Sequence, residues 1–339
     1  MHVGDQIEYL AKAEGRRVRP IKDEAELEEL DEKLGRKLPA FRIKRSDVKT
    51  GPAFVAEFLN RDPGHDNVGR IPFLSDFLNR RVLPMVDSSA DITGAYRIEL
   101  HDSYSYLPGR HLYENVLSFG RAKDALEHSV ALIADPYHMG DFGGIVHAMS
   151  LDDVPWESKI PKLFFAGTTT GNRNPCLNER INSCVWSLDH RDIADMHITK
   201  VAQIDISHIN DAHRRFSETL HSPFSPRDHY AYKYQVNIAG NTAAWSRLPM
   251  IMASKSVMVH CVADAPDDMM WYYPLLREGE HYVGADSSKG DDLIKAHSYC
   301  TSHDSECKAM TSRANALSRD LFHSGTAASY MATFLESIR

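Results

Sequence analysis

The chain has 339 residues, of which 42% are hydrophobic and 25% charged, with a formal net charge of −8. That length holds one large or two medium domains, and the composition is ordinary for a globular protein in water. The acidic balance excludes a general nucleic-acid surface, so a phosphate ligand needs a local basic pocket. No run approaches 18 apolar residues, which argues against a membrane-spanning helix. Five cysteines, an odd number without CxxC spacing, argue against a disulfide framework or structural zinc and favour a reducing compartment.

Residues 1–40 are charged and helical in pattern. Leu27, Leu30 and Leu34 form a stripe within Asp23–Lys37, with acids ahead of lysines, as on a surface helix with one packed face. Residues 40–60 predict a strand or loop at Phe41–Ile43 followed by a helix over Ala53–Leu59, and Ile71–Asn79 predicts another short helix. Val82–Val86 and Ala95–Leu100 read as strands of a first sheet. The second of these ends in His101-Asp102-Ser103-Tyr104, an acid just past the carboxyl end of a strand, where open sheets place catalytic groups. The competing reading is an Asx turn or a helix cap. Val116–Arg121 and Ser129–Ala134 are further strands, and the latter runs into Asp135-Pro136-Tyr137-His138. Asp135 is therefore a second acid at a strand end, although Asp-Pro also starts ordinary turns.

Lys159–Lys162 marks the crossing into a second domain. Leu163–Ala166 is an apolar strand, and Gly167-Thr168-Thr169-Thr170 follows it directly. Glycine lets a ligand approach the backbone and the threonines supply donors, while Arg173 and Arg180 supply charge for a phosphate. His208 and His213 are five apart, a poor spacing for metal ligands on a helix, and read as surface histidines. Residues 232–260 repeat the earlier logic. Lys233–Ile238 predicts a buried strand, Gly240-Asn241 a turn, residues 243–254 a helix, and Val257–His260 the next strand. Pro249 fits a first turn with Ser246 as N-cap, or a kink in a helix that starts earlier. Ser246 and Arg247 then lie beside a flexible turn near the positive end of a helix, as a diphosphate clamp requires. The alternative is a structural salt bridge for Arg247.

These two glycine-and-arginine turns resemble the signatures of glycosyltransferase family 90, which includes protein O-glucosyltransferases, capsule xylosyltransferases and lipopolysaccharide glycosyltransferases. The resemblance rests on Tyr232-Lys233-Tyr234, Gly240 and Trp245-Ser246-Arg247, on Phe165-Ala166-Gly167-Thr168 with its downstream arginines, and on Trp271-Tyr272-Tyr273-Pro274 followed by His281-Tyr282. Ala166 and Ala239 stand where many relatives carry arginine. The resemblance implies an α/β fold of GT-B type, with two Rossmann-like domains facing a central cleft. The expected bounds are 1–160 for the acceptor-side domain, 161–315 for the nucleotide-sugar domain, and 316–339 for a helix packing back on the first. It implies inverting transfer of glucose or xylose from a UDP-sugar to a hydroxyl of a glycan, such as a lipopolysaccharide, capsule or viral glycan. Asp102 is the implied general base, with Asp135 and His101 in reserve. Donor contacts are implied at Gly167, Thr168, Thr169, Thr170, Arg173, Arg180, Lys233, Gly240, Asn241, Ser246, Arg247, Trp271 and Tyr273.

No strand ends in Asp-x-Asp, so the expected chemistry uses no metal and no cofactor beyond the UDP-sugar. The first residues lack a signal-peptide pattern, and the expected location is the cytoplasm of a bacterium, or of a host cell if the source is a virus. A non-catalytic glycan- or nucleotide-binding module on the same scaffold is the rival reading. Phosphoryl-transfer, dinucleotide and esterase motifs are absent from the sequence.

Overall fold

The computed structural model describes residues 2–47, 52–59, 67–101, 114–122, 129–261 and 268–338. In chain order the strands are β1 (Ala40–Arg45), β2 (Phe54–Leu59), β3 (Gly94–Ile98), β4 (Val116–Ser118), β5 (Arg121–Ala122), β6 (Val130–Leu132), β7 (Ile160–Thr168), β8 (Ala194–Lys200), β9 (Tyr232–Asn237), β10 (Val257–Cys261), β11 (Asp268–Met269) and β12 (Val283–Ala285). The α-helices are α1 (Val3–Gly15), α2 (Glu24–Leu34), α3 (Arg70–Phe77), α4 (Pro136–Met139), α5 (Phe142–Ser150), α6 (Glu179–Ser187), α7 (Ile206–Ala212), α8 (Pro226–Tyr230), α9 (Arg247–Ala253), α10 (Gly290–Ser302), α11 (Asp304–Leu321) and α12 (Ser324–Glu336). They form two α/β units, each built on a five-stranded sheet, as the GT-B expectation of two Rossmann-like domains requires.

The first unit comprises Met1–Phe142, Asp268–Leu275 and Asp320–Arg339. Its sheet has the order β2-β1-β3-β4-β6, antiparallel across β1 and parallel from β3 to β6. The helix expected over 53–59 is strand β2. Phe54 and Ala56 are buried and Val55 and Glu57 exposed, the period of two that a half-buried strand imposes. The strand expected over 82–86 is instead a π-helical turn, Leu78–Val82, running into a 3-10 turn, Leu83–Met85. Pro84 has no N–H to give a ladder there. Helix α1 turns Ile7, Ala11 and Glu14 inward, and the Glu14 carboxylate takes two bonds from Arg121 (2.7 and 2.9 Å) and one from Leu132 N (2.8 Å). Helix α12 buries Tyr330, whose hydroxyl donates to Leu132 O at 2.8 Å.

The second unit comprises Gly143–Asp267 and Leu276–Arg319. Its sheet is parallel throughout, in the order β12-β10-β9-β7-β8. Numbered within the unit, this is the doubly wound order 2-1-3-4-5, so the winding direction reverses between β7 and β9. Leu163, Phe165, Tyr234, Val236, Ile238 and Val259 build one continuous core with Ile181 and Cys184 of α6.

The units divide the chain differently from the expected bounds in three places, the smallest being 316–319, which fall in the second unit. Residues 143–159 belong with the second unit, because Trp156 sits in its core and donates to Asp304 at 2.9 Å. Residues 268–275 return to the first, where β11 pairs with β5 and Trp271 lies against Tyr330 with ring centroids 4.3 Å apart.

Candidate active site

Ligands of open parallel sheets bind past the carboxyl ends of the strands, where the strand order reverses. In the second unit that place is the gap between the loops leaving β7 and β9, and both glycine-and-arginine turns lie on it. Arg180, on the first turn of α6, is buried and reaches both loops. Its Nε donates to Ala239 O (2.9 Å), Nη2 to Ile238 O (3.1 Å), and Nη1 to Thr170 Oγ1 (2.6 Å) and Thr168 O (3.3 Å). Arg247, the first residue of α9, donates from Nη1 to Ile238 O (3.1 Å) and from Nη2 to Ala166 O (3.2 Å). The loops are joined a third time by Gly171 N donating to Asn241 Oδ1 at 3.1 Å.

The glycines make room for these guanidiniums. A Cβ on Gly167 would stand 2.6 Å from Arg247 Nη2, and one on Gly240 would stand 2.8 Å from Arg180 Nη2 and 2.9 Å from Thr170 Oγ1. Asn178 caps α6 by accepting from Ile181 N (3.1 Å), and its amide donates to Thr169 O (3.0 Å) and Asn172 O (2.8 Å), which sets the loop's curvature.

Among the described residues neither arginine has an ion-pair partner. Their charges lie over the ring of Phe165, at 4.5 Å for Arg247 and 5.9 Å for Arg180. Burial holds the Arg180 pKa well below its ordinary value, and the neighbouring Arg247 charge lowers it further. Burial also lowers that of Arg247, to about 10. Two desolvated cations without a carboxylate form a site that an anion stabilises. Arg247 gives only two of its five N–H groups to these carbonyls.

The other expected donor residues divide. Thr168 and Thr170 share a hydroxyl contact (3.0 Å) at the turn, whereas Thr169 is buried, its hydroxyl bonded to both O and N of Ala202 at 2.8 Å. Arg173 and Ser246 are exposed beside the loops, and Ser246 occupies the N-cap position of α9 without a side-chain cap bond. Three of the expected residues are not on these two loops. Lys233 starts at the amino end of β9, pairs with Asp304 at 2.7 Å and lies 4.7 Å from the centre of the Trp156 ring. Trp271 is core of the first unit, packed on Tyr330 and His138, and Tyr273 lies in the adjoining 3-10 turn against Tyr272. Trp271 and Tyr272 supply apolar bulk to the core of the first unit, and Tyr273 is half-buried beside them.

In the first unit, Asp102 lies outside the described residues. Asp135 is wholly buried as the N-cap of α4, with Oδ1 accepting from Tyr137 N (2.9 Å) and His138 N (3.2 Å) and Oδ2 against His138 Nδ1. Both oxygens are engaged in structure, as the cap reading of an Asp-Pro turn requires. His101 follows β3, and its Nδ1 lies 2.5 Å from Glu99 Oε1, while Arg36 pairs with the other oxygen of that buried carboxylate.

Sequence reasoning passed over Asn237 and His260. These close the carboxyl ends of β9 and β10, with Asn237 Nδ2 and His260 Nδ1 3.0 Å apart, and Asn237 Oδ1 is buried without a described partner. The available signal was a polar side chain within an apolar parallel strand, which such strands seldom carry without use.

A doubly wound unit with an anion-ready switch point is a scaffold of nucleotide-dependent transferases. The model of glycosyl transferase family 90 matches residues 140–338, and the chain belongs to that family. Among curated proteins it is 25% identical over 185 residues to uncharacterized protein 179R of invertebrate iridescent virus 6, covering 48% of this chain and 15% of that one. It is 26% identical over 152 residues to protein O-glucosyltransferase 2 of Danio rerio, covering 41% and 29% respectively. The matched stretches thus span less than a third of these relatives' lengths. Solved structures similar to the chain include sucrose-phosphate synthase of Thermosynechococcus elongatus, with TM-score 0.44, 11% identity and coverage of 65% and 58%. HepE of Anabaena, solved with UDP and glucose, gives TM-score 0.41, 11% identity and coverage of 64% and 61%. Among the described residues no helix is long and apolar enough to cross a membrane.

Proposed function

We propose that the protein transfers a sugar, glucose or xylose, from a UDP-sugar to a hydroxyl of a glycan with inversion at the anomeric carbon. The observation that carries this reading is the pair Arg180, buried, and Arg247, half-buried, at the strand-order reversal with no carboxylate paired to either among the described residues. Their charge is complementary to a diphosphate, with Thr168, Thr170 and Asn241 shaping the loops around it and Arg173 and Ser246 at the exposed margin. Asp102 takes the acceptor proton as the hydroxyl oxygen forms its bond to the anomeric carbon, and the bond to the diphosphate oxygen breaks on the opposite face. Negative charge then grows on the departing UDP beside the two guanidiniums, where preorganised cations lower the barrier most. Cationic side chains fill the role a metal plays in other transferases, and the sequence has no Asp-x-Asp at a strand end, so the step needs no metal. The name of one relative, protein O-glucosyltransferase 2, supports a glucose donor, and xylose rests on the family resemblance. A lipopolysaccharide, capsule or viral glycan is the acceptor class the family resemblance favours, and the cytoplasm is the proposed compartment.

The test is UDP release from a panel of UDP-sugars in EDTA, with GDP- and CMP-sugars as controls, for wild type, Asp102→Asn and Arg247→Ala. Expected is turnover with one UDP-sugar, a loss on the order of 10²–10⁴-fold in Asp102→Asn with UDP still bound, and weakened UDP binding in Arg247→Ala. Turnover that requires a divalent ion overturns the metal-free step, and absence of UDP binding overturns the diphosphate site.

A further inference from the structure

The first unit carries a groove of about 920 Å³, within the range of small-molecule sites, that the proposed reaction does not use. Its walls are α1, α12 and the π-helical turn with the 3-10 turn after it. The exposed apolar part of the lining is Pro84 and Met85 (51% exposed), with Ile7 and Tyr330 also on the lining but buried. Arg80 and Arg81 stand together on the π turn and also line the groove. Arg80 pairs with Asp76 at the surface, and Arg81 has no ion pair among the described residues. The only acid on the lining is Glu8, and Lys12 already neutralises it.

The turn that presents the arginines is held in place. Asn79 bonds to both backbone groups of Ala56 (2.8 and 2.9 Å) and to Ser75 O (2.9 Å), and wider helical turns of this kind are frequent at functional sites. The opposite wall is also fixed. Helix α12 is tied at its start by Ser324 N to Asp141 Oδ1 (3.2 Å) and at its end by Asp87 N to Glu336 Oε1 (2.7 Å). The groove is therefore preformed, with two cations beside an apolar strip.

We infer that this groove binds an anionic amphiphile, a phosphate-bearing lipid with its phosphate on Arg80 and Arg81 and its chain along Pro84 and Met85. An inorganic anion would use only the arginines and leave the apolar strip wet, and a neutral amphiphile would leave Arg81 unmatched. The inference does not depend on the donor site, which is built from other residues in the second unit.

The test is calorimetric titration of the full chain with dodecyl phosphate below its micelle concentration, beside inorganic phosphate and dodecyl maltoside at equal ionic strength. Expected is saturable binding of dodecyl phosphate at least about tenfold tighter than either control, and a loss of about tenfold or more both in Arg80→Gln/Arg81→Gln and in Met85→Asp. These residues are exposed, so the variants fold, and their unchanged UDP affinity and melting temperature check that they do. Flotation with phosphatidylglycerol rather than phosphatidylcholine vesicles, lost in the same variants, assigns the phosphate to a bilayer lipid. Equal affinity of wild type and both variants for dodecyl phosphate overturns the site. Binding of inorganic phosphate as tight as dodecyl phosphate overturns the lipid assignment.

Discussion

Arg247 offers the cleaner test of the two guanidiniums, because Arg180 also knits the loops together. Removing the side chain in Arg247→Ala takes away charge-assisted bonds worth roughly 1.5–3 kcal/mol, so UDP binding should weaken on the order of 10–100-fold by calorimetry. Arg247→Lys should recover only part of this, since an ammonium cannot hold Ile238 O and Ala166 O and still present a planar face to the ligand. Gly240→Ala should mimic the loss without touching a charge, because its Cβ would displace Arg180. By contrast, Lys233→Met should leave UDP affinity unchanged and lower stability by roughly 1 kcal/mol in denaturant titration, through loss of the part-buried Asp304 pair. Weakened UDP binding in that variant would return Lys233 to the donor site.

At the scale of elements, the second unit was the more legible half. Apolar strands followed by glycine turns identify β7 and β9, because a strand buried on both faces has no alternative use for such a run. The same pattern located Gly167, Gly240 and both arginines at the strand-order reversal, although nothing local to the sequence says that these two loops meet. Asn241 to Gly171 is a contact across 70 residues, which only the sheet order brings about. Segment 53–59 misled because its apolar density suits a helix, and pairing with β1 decided otherwise. The Trp271–Tyr273 run was harder to read, because an aromatic cluster has the same composition in a core and in a binding platform. The cap of α6 gives the test here. Asn178→Ala removes one acceptor and two donors from the loop, and should cost about 1–2 kcal/mol of stability together with a measurable loss of UDP affinity.

For the whole molecule, acid should be destabilising well before the carboxylates titrate. Burial, and then the Arg247 charge, lower the His229 pKa from 6.5 to about 4. The unfolded chain therefore takes up this proton first as pH falls, and the stabilisation present above pH 6.5 is lost progressively down to about pH 4. His147 and His281 are shifted in the same direction by burial. Urea midpoints measured from pH 7 to pH 4.5 should fall in the wild type and fall less steeply in His229→Gln. Equal slopes would show that His229 is not the group responsible.

The chain passes from one unit to the other four times, after Phe142, Asp267, Leu275 and Arg319. This has a consequence for synthesis. The opening 142 residues have the whole five-stranded sheet but lack β11, Trp271 and the helix α12 that packs on α1, all of which are translated later. The unit begun first can therefore be finished only after the other has been almost wholly made, and the nascent chain carries an uncovered apolar face for most of its elongation. A stop codon after residue 319 should consequently yield insoluble protein, and supplying residues 320–339 as a separate peptide during refolding should restore the soluble fraction.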